Sequence, residues 1–157
     1  AALLVLRNSG VTQSTEMVIN DPIELVISTT GGSAHDMFTL YDTMRLIREE
    51  CEIVTVGLGK VMSAGVLLLA AGTKGTRKIG KNCRVMIHGV IGGHVGSIHN
   101  LENEMDEVRW MQEQYISALV SETDMTKRFL KKLIQRKVNV YLTAEEAVQY
   151  GIADEVF

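Results

Sequence analysis

The chain has 157 residues, 46% of them hydrophobic and 22% charged, with 16 Lys and Arg against 19 Asp and Glu and a formal net charge of -3. That is the size of one domain with enough apolar content for one core, and cations scattered among acids exclude the concentrated positive patch that nucleic acid or an anionic membrane surface needs. The longest apolar run, Ala64 to Ala71 with Gly65 inside it, falls far short of the about 20 residues that span a bilayer, and no secretory-signal pattern is read in the sequence.

In chain order, the opening AALLVLR reads as the remainder of a helix whose preceding residues are missing. One proline, Pro22, and no low-complexity tract leave no interdomain linker, so residues 1–157 are expected to form a single domain. IELVIST, Ile23 to Thr29, is a short β-branched run and predicts a buried strand. After Gly31-Gly32, Ser33 is placed to cap a helix whose apolar face carries Met37, Leu40, Tyr41, Met44 and Ile47. Glu52 to Gly59 predicts a second strand, followed by a helical apolar run from Ser63 to Ala71 closed by Gly72. Arg84 to His88 predicts a third strand, leading into the glycine-rich GVIGGHVG.

Strands alternating with helices point to a layered α/β fold with parallel strands. From Ser97 to Val120, Ile98, Leu101, Met105, Val108, Tyr115 and Leu119 step by three and four, which predicts a helix about 36 Å long. Such a helix is long enough to leave the core of so small a domain, and its apolar stripe then needs a partner subunit. Shorter helices are expected over 126–137 and 143–150, the second opened by a Thr143/Glu146 capping box. Two cysteines, Cys51 and Cys83, make neither a metal-ligand spacing nor a disulfide scaffold, and fit a reducing, cytosol-like compartment.

Three features carry candidate chemistry. Ser63 stands at the first turn of a helix directly after a strand, where free backbone N–H groups can stabilise a developing oxyanion. The G-x-S-x-G elbow is half met, with Val61 in place of its first glycine; the plain alternative is an N-cap serine. His88 ends an apolar strand and can face an active site, or it can be a buried histidine satisfied by one hydrogen bond. His94 and His99 lie near it in sequence, but no HExxH or similar spacing supports a metal, and none is expected. Gly31-Gly32 permits unusual backbone angles and close approach of another chain, or is simply a tight turn. The absence of G-x-G-x-x-G there argues against a dinucleotide, and no cofactor is expected.

Taken together, TTGGSA at 29–34, GKVMSAGVLLLAAG at 59–72, RVMIHGVIGGHVG at 84–96 and YLTAEEAVQYGIADEV at 141–156 resemble, in order and spacing, the proteolytic subunit of the Clp protease family. The resemblance implies an α/β fold of stacked β-β-α repeats shared with the crotonases, with a protruding handle over about residues 89–122. It implies heptameric rings paired through that handle, and peptide-bond hydrolysis of unfolded polypeptides inside the barrel. The substrate would be delivered by an AAA+ Clp unfoldase ATPase. By the same resemblance Ser63 falls on the nucleophile and His88 on the general base. The backbone N–H groups of Gly31 and Ala64 fall on the oxyanion hole. Gly32, Gly92 and Gly93 fall beside the edges that hold an extended peptide by main-chain pairing.

Three positions depart from the family pattern. Asn139 stands where the third triad member is an aspartate, and no Asp or Glu occurs between Asp124 and Glu145. An asparagine carbonyl can accept the imidazole N–H, as in Cys-His-Asn sites, but supplies no charge to an imidazolium. In a chymotrypsin-type triad the same change costs about 10⁴ in turnover. Thr30 replaces a proline before the glycine pair, and Ala64 replaces a methionine after the nucleophile. The expectation is a serine peptidase using Ser63, His88 and Asn139. The alternatives are a weak or inactive ring subunit with a structural or ATPase-docking role, which Asn139 favours, and a crotonase-like acyl-CoA enzyme, which would need no Ser-His pair.

Overall fold

The computed structural model describes residues 11–14, 17–93, 95–136 and 138–157, with side chains from Asp21 onward. The helix expected over AALLVLR lies outside the described residues. Two short strands, β1 (Val11–Ser14) and β2 (Met17–Asn20), pair antiparallel with Val11 opposite Asn20.

The main sheet begins with β3 (Ile23–Thr29), the run foreseen from its β-branched residues. It pairs in parallel with β4 (Ile53–Met62), Ile23 against Ile53, and the register shifts between Ile27 and Thr29 before Thr29 meets Val61. β4 therefore runs past the expected end at Gly59, because its last residues, Lys60 to Met62, pair with β6 (Arg84–Ile87). Two-residue strands extend the parallel sheet, β5 (Lys78–Ile79) beside Val56 and Gly57 of β4 and β8 (Glu155–Val156) beside β5. β7 (Val140–Leu142) joins β6 antiparallel, with Ile87 opposite Val140.

Helix α1 (Ala34–Arg48) is capped as expected by the Ser33 side chain, which accepts from the Asp36 N–H. Met37, Tyr41, Met44 and Ile47 are its buried face, while Leu40 stands at the stripe's edge, 39% exposed. Helix α2 (Ala64–Ala70) buries Gly65, Val66, Leu67, Leu69 and Ala70, nearly its whole circumference, as a helix in the middle of a core must.

Helix α3 (Ile98–Glu122) divides in two. Met111, Tyr115, Ile116, Ala118 and Leu119 pack inward, whereas Ile98 and Met105 are 73% and 53% exposed. The first half of the expected apolar stripe thus stands clear of the core. α4 (Lys127–Gln135) and α5 (Ala144–Gln149) follow, and the Thr143/Glu146 capping box forms in both directions.

Two ion pairs, each with one buried and one half-buried partner, tie these layers together. The Arg48 guanidinium donates to both Glu122 carboxylate oxygens at 2.9 Å and to the carbonyls of Ala71 and Gly72, and the Tyr41 hydroxyl donates to the same carboxylate. This fastens the lower end of α3 to α1 and the end of α2. Arg77 donates to both oxygens of Asp154 and to the carbonyls of Ala70 and Glu122, joining the chain's last turn to the core. Cys51 and Cys83 are buried free thiols. Among the described residues no helix is long and apolar enough to cross a membrane.

Candidate active site

Ser63 sits at the junction of β4 and α2 with φ 54° and ψ -120°, the single non-glycine residue at positive φ among those described. A residue other than glycine pays for that backbone, and such strain collects where a side chain must be presented in one direction. Although Ser63 occupies the N-cap position of α2, its side chain makes no capping hydrogen bond. The plain reading as a cap therefore fails here, and the hydroxyl is left for other use.

Backbone groups hold the turn on both sides. The Ser63 N–H donates to the Met86 carbonyl at 2.8 Å, continuing the β4–β6 ladder, and its carbonyl accepts from the Val66 N–H at 3.0 Å. Gly31, at φ 104°, is pressed against it: a Cβ on Gly31 would lie 2.6 Å from the Ser63 Cβ. Glycine is required there twice over, for the backbone angle and for the space. At Gly65 a Cβ would meet the Thr29 methyl at 2.5 Å, so α2 starts in direct contact with the end of β3.

One cavity of about 310 Å³ is lined by Ser63, Ala64, Gly32, Met37, His88 and Tyr115, among others. It brings together the expected nucleophile, base, one oxyanion residue and one substrate-binding glycine. Ala64 belongs to the first turn of α2, where backbone donors have no intrahelical acceptor and can receive an anion. The N–H of Gly31, the other expected donor, is given to the Thr29 hydroxyl at 3.0 Å.

His88 follows directly on β6 and is half-buried. Its Nδ1 hydrogen-bonds the Gly89 carbonyl. With a carbonyl as partner, Nδ1 carries the proton and Nε2 is left free to accept one. Neither Ser63 nor Asn139 is hydrogen-bonded to His88 among the described residues.

A second cavity, of about 440 Å³, lies on the other flank of His88, lined also by Gln112, Gln135 and Asn139. Asn139 is exposed and immediately precedes β7. Continuing the Ile87–Val140 register by one residue sets Asn139 across from His88. Gly92 and Gly93 border neither cavity. Gly92 lies against Val108 of α3, Gly93 is open, and the described residues of the 88–97 stretch contain no strand.

Two contributors escape the sequence reading. Tyr115, read as part of the apolar stripe of α3, donates its hydroxyl to the Ser63 carbonyl at 3.1 Å, and burial pushes its phenol well above the ordinary range. Thr29 engages the Gly31 peptide. Its only advance signal is that it ends a strand just before the glycine pair. Among the described residues no three His, Cys, Asp or Glu side chains gather as metal ligands.

Comparison with known proteins is consistent along the chain. The Clp protease family profile matches residues 12–157. The chain is 37% identical over 158 residues to ATP-dependent Clp protease proteolytic subunit 2 of Corynebacterium jeikeium, covering 100% of this chain and 70% of that protein. It is 37% identical over 157 residues to proteolytic subunit 1 of Bifidobacterium longum, covering 99% of this chain and 62% of the relative. Against proteolytic subunit 1 of Prochlorococcus marinus strain MIT 9312 it is 34% identical over 156 residues, covering 99% and 74%. The chain thus spans between about three fifths and three quarters of the length of these relatives.

Proposed function

Because the chain belongs to the Clp protease family, we propose that it is a serine endopeptidase subunit that cleaves unfolded polypeptides inside a ring-shaped assembly. The observation that carries this reading is Ser63 itself: a strained, uncapping serine at a helix N-terminus, on one cavity with a histidine whose Nε2 is free.

In this mechanism the Ser63 hydroxyl attacks the scissile carbonyl while His88 Nε2 takes its proton. The tetrahedral oxyanion is received by the N–H groups of Ala64 and Gly31, the latter swinging off the Thr29 hydroxyl. His88 returns the proton to the departing amine, and water then hydrolyses the acyl-enzyme by the same route in reverse order. Asn139, which like His88 lies one residue beyond the Ile87–Val140 pair that ends the β6–β7 ladder, acts as the third member. Its side-chain carbonyl accepts the Nδ1 proton once the ring turns from Gly89, and Ser63 comes within reach of Nε2 in the same movement; hydrogen bonds of this kind commonly tighten only with substrate bound. Gly32, on the wall of the same cavity, holds extended peptide by main-chain pairing.

The assembly part of the proposal is a pair of heptameric rings joined through the handle and fed by an AAA+ Clp unfoldase, in a cytosol-like compartment. It is supported by the apolar surface standing clear of the core: Ile91 is 83% exposed, Val95 98% and Ile98 73%. A second reading, a weakly active or inactive ring subunit, is favoured by the missing carboxylate and by the absence of a His88–Asn139 bond among the described residues. A fluorophosphonate probe separates the two. Labelling of the assembled protein at neutral pH that disappears in Ser63→Ala supports the peptidase; no labelling of the assembled wild type leaves the inactive subunit.

A further inference from the structure

We infer that Tyr115 is a positioning residue for Ser63, its buried hydroxyl holding the Ser63 carbonyl and so fixing the strained turn that presents the nucleophile. The inference rests on the peptidase reading and adds a residue to it.

A non-glycine residue at positive φ relaxes unless its surroundings over-determine it. At Ser63 the N–H is fixed by the Met86 carbonyl of β6 and the carbonyl by the Val66 N–H of α2, both main-chain partners. Tyr115 is the single side chain among the described residues that hydrogen-bonds the Ser63 backbone, at 3.1 Å. It comes from α3, outside both β4 and α2, so it resists a rotation of the Ser63–Ala64 peptide that α2, which holds the same carbonyl through Val66, could follow. Its ring is 3% exposed and lines the same cavity as Ser63 and His88.

Rigidity at the far end makes this hold effective. Seven residues further along α3, Glu122 is fastened by Arg48 and Tyr41, so the tyrosine reaches the turn from a helix that is itself anchored. The Ser63 carbonyl and the Ala64 N–H share one peptide plane. Orienting the first therefore aims the second, which is an expected oxyanion donor. Loss of the phenol hydroxyl is thus a loss in the transition state more than in substrate binding.

The test compares Tyr115→Phe with wild type in the assembled protein. The second-order rate of fluorophosphonate labelling and kcat for a short peptide should both fall about five- to tenfold, the scale of one neutral hydrogen bond. KM should stay within about twofold and the loss should be equal across neutral to alkaline pH. A wild type that labels at Ser63 alongside a Tyr115→Phe variant that labels equally fast overturns the inference and leaves the peptidase reading intact. A wild type that does not label removes both. Should Tyr115→Phe not assemble, a tyrosine analogue fluorinated on both sides of the hydroxyl keeps ring and donor while making the phenol more acidic. Its labelling should decline as pH rises through ionisation of that phenol, because a phenolate cannot donate; a profile parallel to wild type would contradict the proposal.

Discussion

The two flanks of His88 are built differently. On the Ser63 flank, backbone geometry decides almost everything: a strained φ, a main-chain bond on either side of the peptide, a glycine with no room for a methyl group, and one buried phenol. On the Asn139 flank, Gln112, Gln135 and the exposed Asn139 share the lining of a cavity of about 440 Å³ with Val90, Ile91, Ile134 and Val138, and no carboxylate is among them. The contrast separates two requirements of acyl transfer. Presenting a hydroxyl is a property of fold and tolerates little change, whereas stabilising an imidazolium is a property of one side chain and can be altered without disturbing the scaffold.

The largest expected effect lies beneath the Ser63 flank. Glu122→Ala leaves the Arg48 guanidinium and the Tyr41 hydroxyl without their buried carboxylate, and breaking a buried pair from one side costs about 3 kcal/mol or more. Denaturant unfolding should show that loss, with labelling of the surviving folded protein slowed as α3 loosens; a change below about 1 kcal/mol would mean the anchor is not rigid. Next is Gly31→Ala, whose methyl group must displace the Ser63 Cβ. Overpacking of this kind should slow fluorophosphonate labelling about fiftyfold, and a loss under twofold would show that the turn yields.

Smaller effects are expected across His88. Asn139→Asp should raise peptide hydrolysis about tenfold, because it restores charge opposite the ring while leaving geometry alone. An unchanged or lower rate would show a site adapted to asparagine. Smallest is a pH effect far from the chemistry. Burial pushes the Asp154 carboxyl upward, but hydrogen bonds from the Arg77 side chain and from the backbone of Arg77 and Gly75 outweigh it and hold it below its ordinary 3.8. A lowered folded-state value stabilises the protein above the unfolded value and is lost as pH falls through the folded one. Melting temperature should therefore drop on acidification below the ordinary aspartate range, and Asp154→Asn should be less stable than wild type near neutrality and flatten part of that slope.

Much of the fold was legible because it rests on local pattern. The β-branched run of β3, the Ser33 cap, the Thr143/Glu146 box and the amphipathic stripe of α3 each state their own structure. Strands β5, β7 and β8 do not, being two or three residues long and defined only by what they pair with. The same limit hid the last residues of β4, which are strand because β6 lies beside them. At the site, Ser63, His88 and Gly31 stood out through their motifs, and membership of the family was readable from four ordered segments. Tyr115 did not stand out. At helical spacing an inward tyrosine looks like any core residue, and only the tertiary fold shows that its hydroxyl meets a strained carbonyl. The geometry around Asn139 was hidden for a similar reason, since it depends on an antiparallel register that no local pattern announces.

Whether Ser63 is the nucleophile of a working peptidase can be read from proteolysis itself. The most direct measurement is cleavage of an unfolded protein by the assembled wild type, with and without a Clp unfoldase, set beside Ser63→Ala prepared identically. Wild type should yield fragments, in both conditions for short unfolded chains, and Ser63→Ala none. Equal cleavage by the two proteins, or none by a wild type shown to be assembled, would contradict that role for Ser63.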